Sequence, residues 1–571
     1  MSVTSDSIVP GSKILVVNIF VGLITHTWFR KYEPKTILSA LLPISGIICI
    51  TSALASPHIQ KWSVAVLLSS IVFIATLLGS IVAYRLSFFH PLAKYPGPIL
   101  CRITKLWGAW IAWNGKPHIY YKQLHDKYGP IVRIGPNELS VIDTNLIHSI
   151  FGMPKGPMWD GRRILPSKNF NKQNSLTSVR DLRRHAELRK PWNNAFKPSA
   201  IASYEEMLRV RAEQFIQKLS ELCQSKSGTI DLAMWINYFT FDFMGDVAFG
   251  GVYSLMRDGD KDEALLKMRR GVFLPSVTQN IPWILSSITS LPFIAEDTLA
   301  FGRFGIEQAK KRAALVDSLQ RKDLCYYLLE DSKIPVLSKL TSSALLAIVA
   351  GSDTTAAVLS NIFYYLIRDP RYFKRLQEEI DSFFPKHDAI EMIDVNALTD
   401  LPFLNAVINE TLRLQPPVPT SLQRAPAFGS GGKALSSEMY IPEGTAVLVS
   451  PYIMQRAANH FSPDPDTFWP ERWLRVENIE TDQDTHSREN FIFNSAAFIP
   501  FSSGPANCPG KPLAMIELRY LTCLLVRTFD FDFADGYDHR NWEKDLVDRF
   551  VMLKGELPVK MKRRKLNMEG S

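Results

Sequence analysis

The sequence predicts a mainly α-helical protein with small β-sheets, preceded by transmembrane helices at its N-terminus. Three observations lead there. Uncharged apolar runs cover Ile37 to Ala55 and Ser63 to Tyr84, each close to the roughly 20 residues that cross a bilayer as a helix. Beyond Pro91 most periodic segments repeat apolar residues at helical spacing, as Leu404 to Leu414 does behind Pro402. Strand-like stretches are short, chiefly Tyr128 to Val141, where two runs flank a Gly135-Pro136-Asn137 turn.

The membrane region comes first along the chain. Ile14 to Trp28 is a third, weaker candidate span, interrupted by Asn18 and His26. No short apolar core with a basic start and a small-residue cleavage site opens the chain, so a cleaved signal peptide is not predicted. Arg30, Lys31 and Lys35 outnumber Lys61 in the next loop, which puts the first loop in the cytosol. Three spans then give a luminal N-terminus and two a cytosolic one; either way the remainder is cytosolic. Pro91, Pro96, Gly97 and Pro98 form a stiff connector. We therefore divide the chain into a membrane region, residues 1–90, and one large catalytic domain, residues 91–571, although length alone suggests three or four domains.

Composition excludes several classes. The chain has 571 residues, 46% hydrophobic and 21% charged, enough to bury a large core. Its six cysteines are scattered without disulfide or zinc spacing, which fits a reducing compartment. A net charge of +9 with no aromatic-basic motif argues against nucleic acid and suits docking of an acidic partner. The basic run Lys560 to Lys565 reads as part of that face or as a solvated tail. No G-x-G-x-x-G strand-turn-helix unit is present, so flavin and nicotinamide must sit on another polypeptide. Asn409-Glu410-Thr411 matches a glycosylation sequon, but it falls on a helix in a domain read as cytosolic.

The chemistry-bearing motif is Phe501-Ser502-Ser503-Gly504-Pro505-Ala506-Asn507-Cys508-Pro509-Gly510. Its pattern F-x-x-G-x-x-x-C-x-G would arise by chance in roughly a few per thousand chains of this length. A helix pattern begins just beyond, and unpaired amides at a helix start stabilise a thiolate. Cys508 is thus placed as the axial thiolate of a haem iron. Gly504 permits a positive φ, Gly510 lets the backbone approach a flat macrocycle, and Phe501 shields the sulfur.

Glu410 and Arg413 stand three apart on one helix face, and Phe468-Trp469-Pro470-Glu471-Arg472-Trp473 supplies a second arginine before the cysteine. Ala350-Gly351-Ser352-Asp353-Thr354-Thr355 interrupts a long apolar helix pattern from Thr341 to Ile367. Glycine and back-bonding hydroxyls disfavour a helix interior, so the helix should be distorted there.

In this order the four elements resemble the cytochrome P-450 family of haem-thiolate monooxygenases, over the stretch from about Pro91 to the C-terminus. The resemblance implies that fold, a haem b cofactor, and a structural triad of Glu410, Arg413 and Arg472. It implies that Ala350 and Gly351 leave room over the haem, that Thr354 hydrogen-bonds the oxygen being activated, and that Asp353 relays protons. His185 and Arg189, in His185-Ala186-Glu187-Leu188-Arg189, and Arg424, after Pro416-Pro417-Val418-Pro419, match residues that hold the haem propionates. The arginine usual two residues before the cysteine is Ala506 here, which leaves open what takes over that propionate contact. Trp192 and Phe196 read as packing.

The implied partners are an NADPH-dependent flavoprotein reductase, with cytochrome b5 as a second donor, and the implied location is the endoplasmic reticulum membrane. Val272 to Phe293, nearly uncharged and proline-broken, reads either as ordinary core or as a loop dipping into the bilayer beside the entrance for lipophilic substrates. Phe151 to Lys172, Val418 to Leu422 and Phe550 to Leu553 are pocket candidates. The motif style resembles fungal members that modify secondary metabolites or xenobiotics. Competing readings are a haem-thiolate isomerase or desaturase, and a non-catalytic haem protein that carries electrons or senses.

Overall fold

The computed structural model describes residues 9–32, 37–55, 59, 61–162, 175–224, 228–251, 253–288, 291–315, 322–329, 336–384, 393–420, 422–478 and 491–564. Helices dominate, with small sheets set among them, as the residue pattern predicts. Parts of the pocket candidates, residues 163–172 and Ser421, lie outside the described residues.

The N-terminal helices are Val9–Lys31, Ile37–Ala55 and Trp62–Leu86. The second and third are long and apolar enough to cross a membrane. Val9–Lys31 does not meet that standard, although it packs along the third helix, with Gly22 against Thr76. The helix formed by Leu345–Arg368 meets it too, but most of it is buried inside the protein, where it serves as a core helix.

The largest core surrounds the helix Thr354–Arg368, whose residues Thr355 through Ile367 are all buried. Around it pack Leu232–Phe249, Pro402–Leu414 and Lys511–Thr528. Local chemistry sets these ends. Asp231 caps the first of them by accepting from the Met234 amide at 3.2 Å, and Gly250 closes it in a left-handed turn. Pro402 opens the second at a position whose amide has no helical partner anyway.

A four-stranded sheet forms a second core. Its order is Ile131–Gly135, Glu138–Val141, Ala446–Val449, Leu422–Arg424, with the second and third strands parallel and the others antiparallel. The Gly-Pro-Asn turn joins the first two, as read from the sequence. Lys155 extends the sheet's edge by an isolated antiparallel bridge to Arg424, flanked by hydrogen bonds from Gly156 N to Gln423 O (3.1 Å) and Ala425 N to Pro154 O (3.0 Å). Pro558–Arg563 is the middle strand of a three-stranded sheet, so Lys560 to Arg563 is not a tail, and Lys560 pairs with Asp535.

Between Val272 and Phe293 the chain forms short helices and turns rather than one span. Val277, Ile281 and Leu285 are buried, whereas Trp283, Leu291 and Phe293 are exposed, Phe293 at 98%. The segment is core on one side and open apolar surface on the other.

Candidate haem-thiolate site

Cys508 sits between a tight loop and the helix Lys511–Thr528. Its amide donates to the Phe501 carbonyl at 2.9 Å, closing the loop. Gly504 adopts φ +70°, and a Cβ there would stand 3.1 Å from Phe151, so both conformation and space require glycine. Gly510 has an ordinary negative φ. A Cβ on it would come 4.0 Å from the Cys508 sulfur and 3.7 Å from Phe196, which packs against the core as read from the sequence and also stands beside the cysteine loop. Cys508 is exposed at the surface, yet the dense protein around it desolvates the sulfur and pushes the thiol up. The amides of Gly510 and Lys511 and the charges of Arg189 and Lys511 pull it back toward thiolate. Phe501 is half-buried, with the Lys511 ammonium over its ring.

The triad is assembled and wholly buried. Arg413 makes a fork to Glu410, Nε to Oε2 and Nη2 to Oε1, both at 2.8 Å, and Arg472 Nε lies 3.6 Å from Oε1. The sequence reading missed two further donors. The Trp469 amide and the Trp473 indole each reach Glu410 at 3.0 Å, so the carboxylate is satisfied on both oxygens. Gln455, also missed, takes this order to the cysteine loop. Its amide donates to Leu412 O (2.9 Å) and Arg413 O (3.0 Å), and its oxygen accepts from the Ile499 amide at 2.9 Å.

The distorted helix is found where glycine and hydroxyls predict it. Val336–Ile348 passes through a π turn, Val349–Asp353, into Thr354–Arg368. Ser352, Thr354 and Thr355 hydroxyls donate to the carbonyls four residues back, at 2.6, 2.7 and 3.1 Å. Ala350 is exposed, but Gly351 is small for another reason: a Cβ there would meet Met244 at 2.4 Å. Asp353 is buried; desolvation raises its pKa, against opposing pulls from Lys554 and Arg269. Lys554, from the C-terminal segment, is buried as well, and its ammonium donates to Asn237 Oδ1 at 2.9 Å.

His185, Arg424 and a lysine absent from the sequence reading, Lys155, come together beside the cysteine loop. His185 and Lys155 line one small cavity with Ala506 and Phe151. Burial lowers the pKa of Lys155 to about 7, of His185 to about 4 and of Arg424 to about 10; like charges add to the shift for the first two. Arg189 turns to the loop itself, donating to the Asn507 carbonyl and, at 2.9 Å, to its side-chain oxygen. Among the described residues no carboxylate pairs with any of these four groups. Among the described residues no group of three His, Cys, Asp or Glu gathers as a metal site.

A thiol aimed at helix-start amides, next to buried cations that lack an anion, fits a group carrying both iron and carboxylates, and haem is such a group. The architecture and site are those of a haem-thiolate oxidoreductase. The chain belongs to the cytochrome P450 family, whose model matches residues 95–561. It is 31% identical to Cytochrome P450 67 of Uromyces fabae, over 94% of this chain and 96% of the relative. It is 30% identical to Cytochrome P450 monooxygenase FCK2 of Fusarium pseudograminearum, over 93% and 94%. Tryprostatin B 6-hydroxylase of Aspergillus fumigatus is 29% identical, over 95% of each chain. The chain is accordingly a monooxygenase of the haem-thiolate type.

Proposed function

We propose that this protein oxidises a lipophilic small molecule, of the secondary-metabolite or xenobiotic kind, with electrons relayed from NADPH by a separate flavoprotein reductase. The observation that carries the reading is the Cys508 sulfur facing the Gly510 and Lys511 amides beside an unpaired cationic cluster. Haem b, when bound, supplies the iron at which dioxygen is cleaved, one atom entering a C–H bond and the other leaving as water.

The chain's residues have separate tasks. Cys508 gives the thiolate, and Phe501, Gly504 and Gly510 shape its loop. His185 and Arg424 neutralise haem carboxylates, and Arg189 holds Asn507. Asp353, kept protonated more readily by its burial, stores a proton, and the Thr354 hydroxyl passes it on. Glu410, Arg413 and Arg472 fix the loop's support.

Exposed Arg183, Lys190 and Lys197 lie on or just after the helix whose Arg189 holds Asn507, and Lys511 opens the helix after Cys508; such cations suit an acidic reductase or cytochrome b5. Two apolar N-terminal helices support anchoring in the endoplasmic reticulum membrane, multi-pass, with residues 91–571 as the cytosolic catalytic domain. The exposed apolar edge around Phe293 supports substrates that partition from the bilayer. The name of the Aspergillus fumigatus relative, a tryprostatin B 6-hydroxylase, supports secondary metabolism.

The test is the spectrum of the reduced, carbon-monoxide-bound full-length protein. A thiolate ligand gives a main haem band at longer wavelength than a histidine does. The natural protein should show that band and Cys508→His should lose it. A histidine-type band in the natural, folded protein would sink the reading.

A further inference from the structure

Position 506 is alanine, yet the cavity beside it is lined by a buried ammonium. Lys155 is 7% exposed. An ammonium has three donors; one goes to the Leu176 carbonyl at 2.5 Å, and one side is covered by the Trp159 ring, 5.2 Å away. Its charged neighbours, Arg424, Arg189 and His185, are all cations when protonated. The antiparallel bridge between Lys155 and Arg424 sets this up, because directly bridged residues send their side chains to the same face. Arg424 is 1% exposed, with its Nε unpartnered and its guanidinium over Phe151. Asp160, five residues on, is ion-paired with Arg180, whose Nε donates to the Lys155 carbonyl at 3.0 Å.

Buried like charges without a counter-ion are costly, and a fold keeps them where an anion joins them. We propose that Lys155 supplies the cation that Ala506 does not, and that with Arg424 and His185 it seats the two haem carboxylates. The inference rests on the haem-thiolate reading above. Its ligand chemistry is a carboxylate, which an acidic substrate also carries. The lowered pKa of Lys155 in the haem-free chain agrees with a site that gains its charge partner on binding.

The experiment measures haem retention by the detergent-solubilised full-length protein, as the rate of haem transfer to excess apomyoglobin, together with haem bound per polypeptide. Lys155→Met should speed haem loss on the order of tenfold, since a charge-assisted hydrogen bond is lost. Lys155→Arg should restore the natural rate. Ala506→Arg in the Lys155→Met background should also restore it, by returning a cation to the same cavity. Natural haem retention in folded Lys155→Met overturns the proposal, even if binding of acidic small molecules is weakened, because the site then serves substrate. Should Lys155→Met not fold, the double variant decides: recovery of a haem-loaded protein supports the proposal, and continued failure means that Lys155 serves only the Leu176 bond. The carbon-monoxide band of the natural protein, recorded in parallel, tests the haem-thiolate reading separately.

Discussion

The Thr354 hydroxyl donates to the Ala350 carbonyl at 2.7 Å, across the π turn that breaks the long core helix. A π turn leaves a carbonyl without its regular amide partner, and a threonine hydroxyl can take that carbonyl up. Ala350 is exposed and Thr354 half-buried, so the hydroxyl is both anchored and accessible. Thr354→Ala should leave haem content unchanged but divert reducing equivalents to peroxide, because proton delivery becomes disordered. Product per NADPH, measured with a substrate found by screening lipophilic terpenoids and aromatics, should fall several-fold. An unchanged ratio would remove Thr354 from the mechanism.

Glu410 accepts from Arg413, one backbone amide and one indole, with the Arg472 charge 3.6 Å away, all around a fully buried carboxylate. Glu410→Ala would strand Arg413 and Arg472 without their anion, at a cost of about 3–5 kcal/mol. Trp473→Phe removes one neutral donor and should cost only about 1 kcal/mol. Denaturant unfolding of the two variants should rank them in that order. Equal losses would show that the indole bond, not the charge, holds the region together.

Glu517, on the helix after Cys508, is buried with Thr355 as its hydrogen-bond partner and Oε1 unpartnered, and desolvation holds its pKa well above the carboxylate range. The unfolded chain, with an ordinary carboxyl near 4.3, releases its proton first. Stability from this group is therefore full below about pH 4.3 and is lost as pH rises above it. Glu517→Gln should raise the unfolding midpoint at pH 8 more than at pH 5. A gain that does not change with pH would mean that Glu517 ionises normally in the folded protein.

Much of this was legible because it is local. The Cys508 loop, the helix behind it and the Glu410–Arg413 pair each lie within one turn or one helix, where spacing determines which groups meet. The helix distortion was legible too, but its neighbour was not: Gly351 answers to Met244, which is distant in the chain. Lys155 escaped for the same reason, since a lone loop lysine is ordinarily solvated and only the bridge to Arg424 buries it. Trp473 stands beside Arg472 in its motif and Gln455 in none, but spacing shows neither bond; both roles follow from tertiary position.

The proposed domain boundary can be tested by truncation. Arg85 donates to Ile103 O at 2.6 Å, and its own carbonyl accepts from buried Arg133 at 3.1 Å. Deleting residues 1–89 should therefore leave a domain that binds haem but unfolds earlier than one lacking only residues 1–82. Substituting Leu274 and Leu285 with Ser is a poor route to solubility, because Leu285 is 5% exposed. Phe293→Ser with Ile294→Ser, at exposed positions, should reduce association of either truncated form on a sizing column. Loss of haem in both truncations would place the N-terminal helices within the fold.

Gln455 makes the Cys508 loop dependent on a long-range contact. Its amide holds the Leu412 and Arg413 carbonyls and its oxygen holds the Ile499 amide, 44 residues away in the chain, so one side chain ties the segment leading into the loop to the end of the ion-paired helix. A change at position 455 would therefore loosen the loop without altering any residue of it.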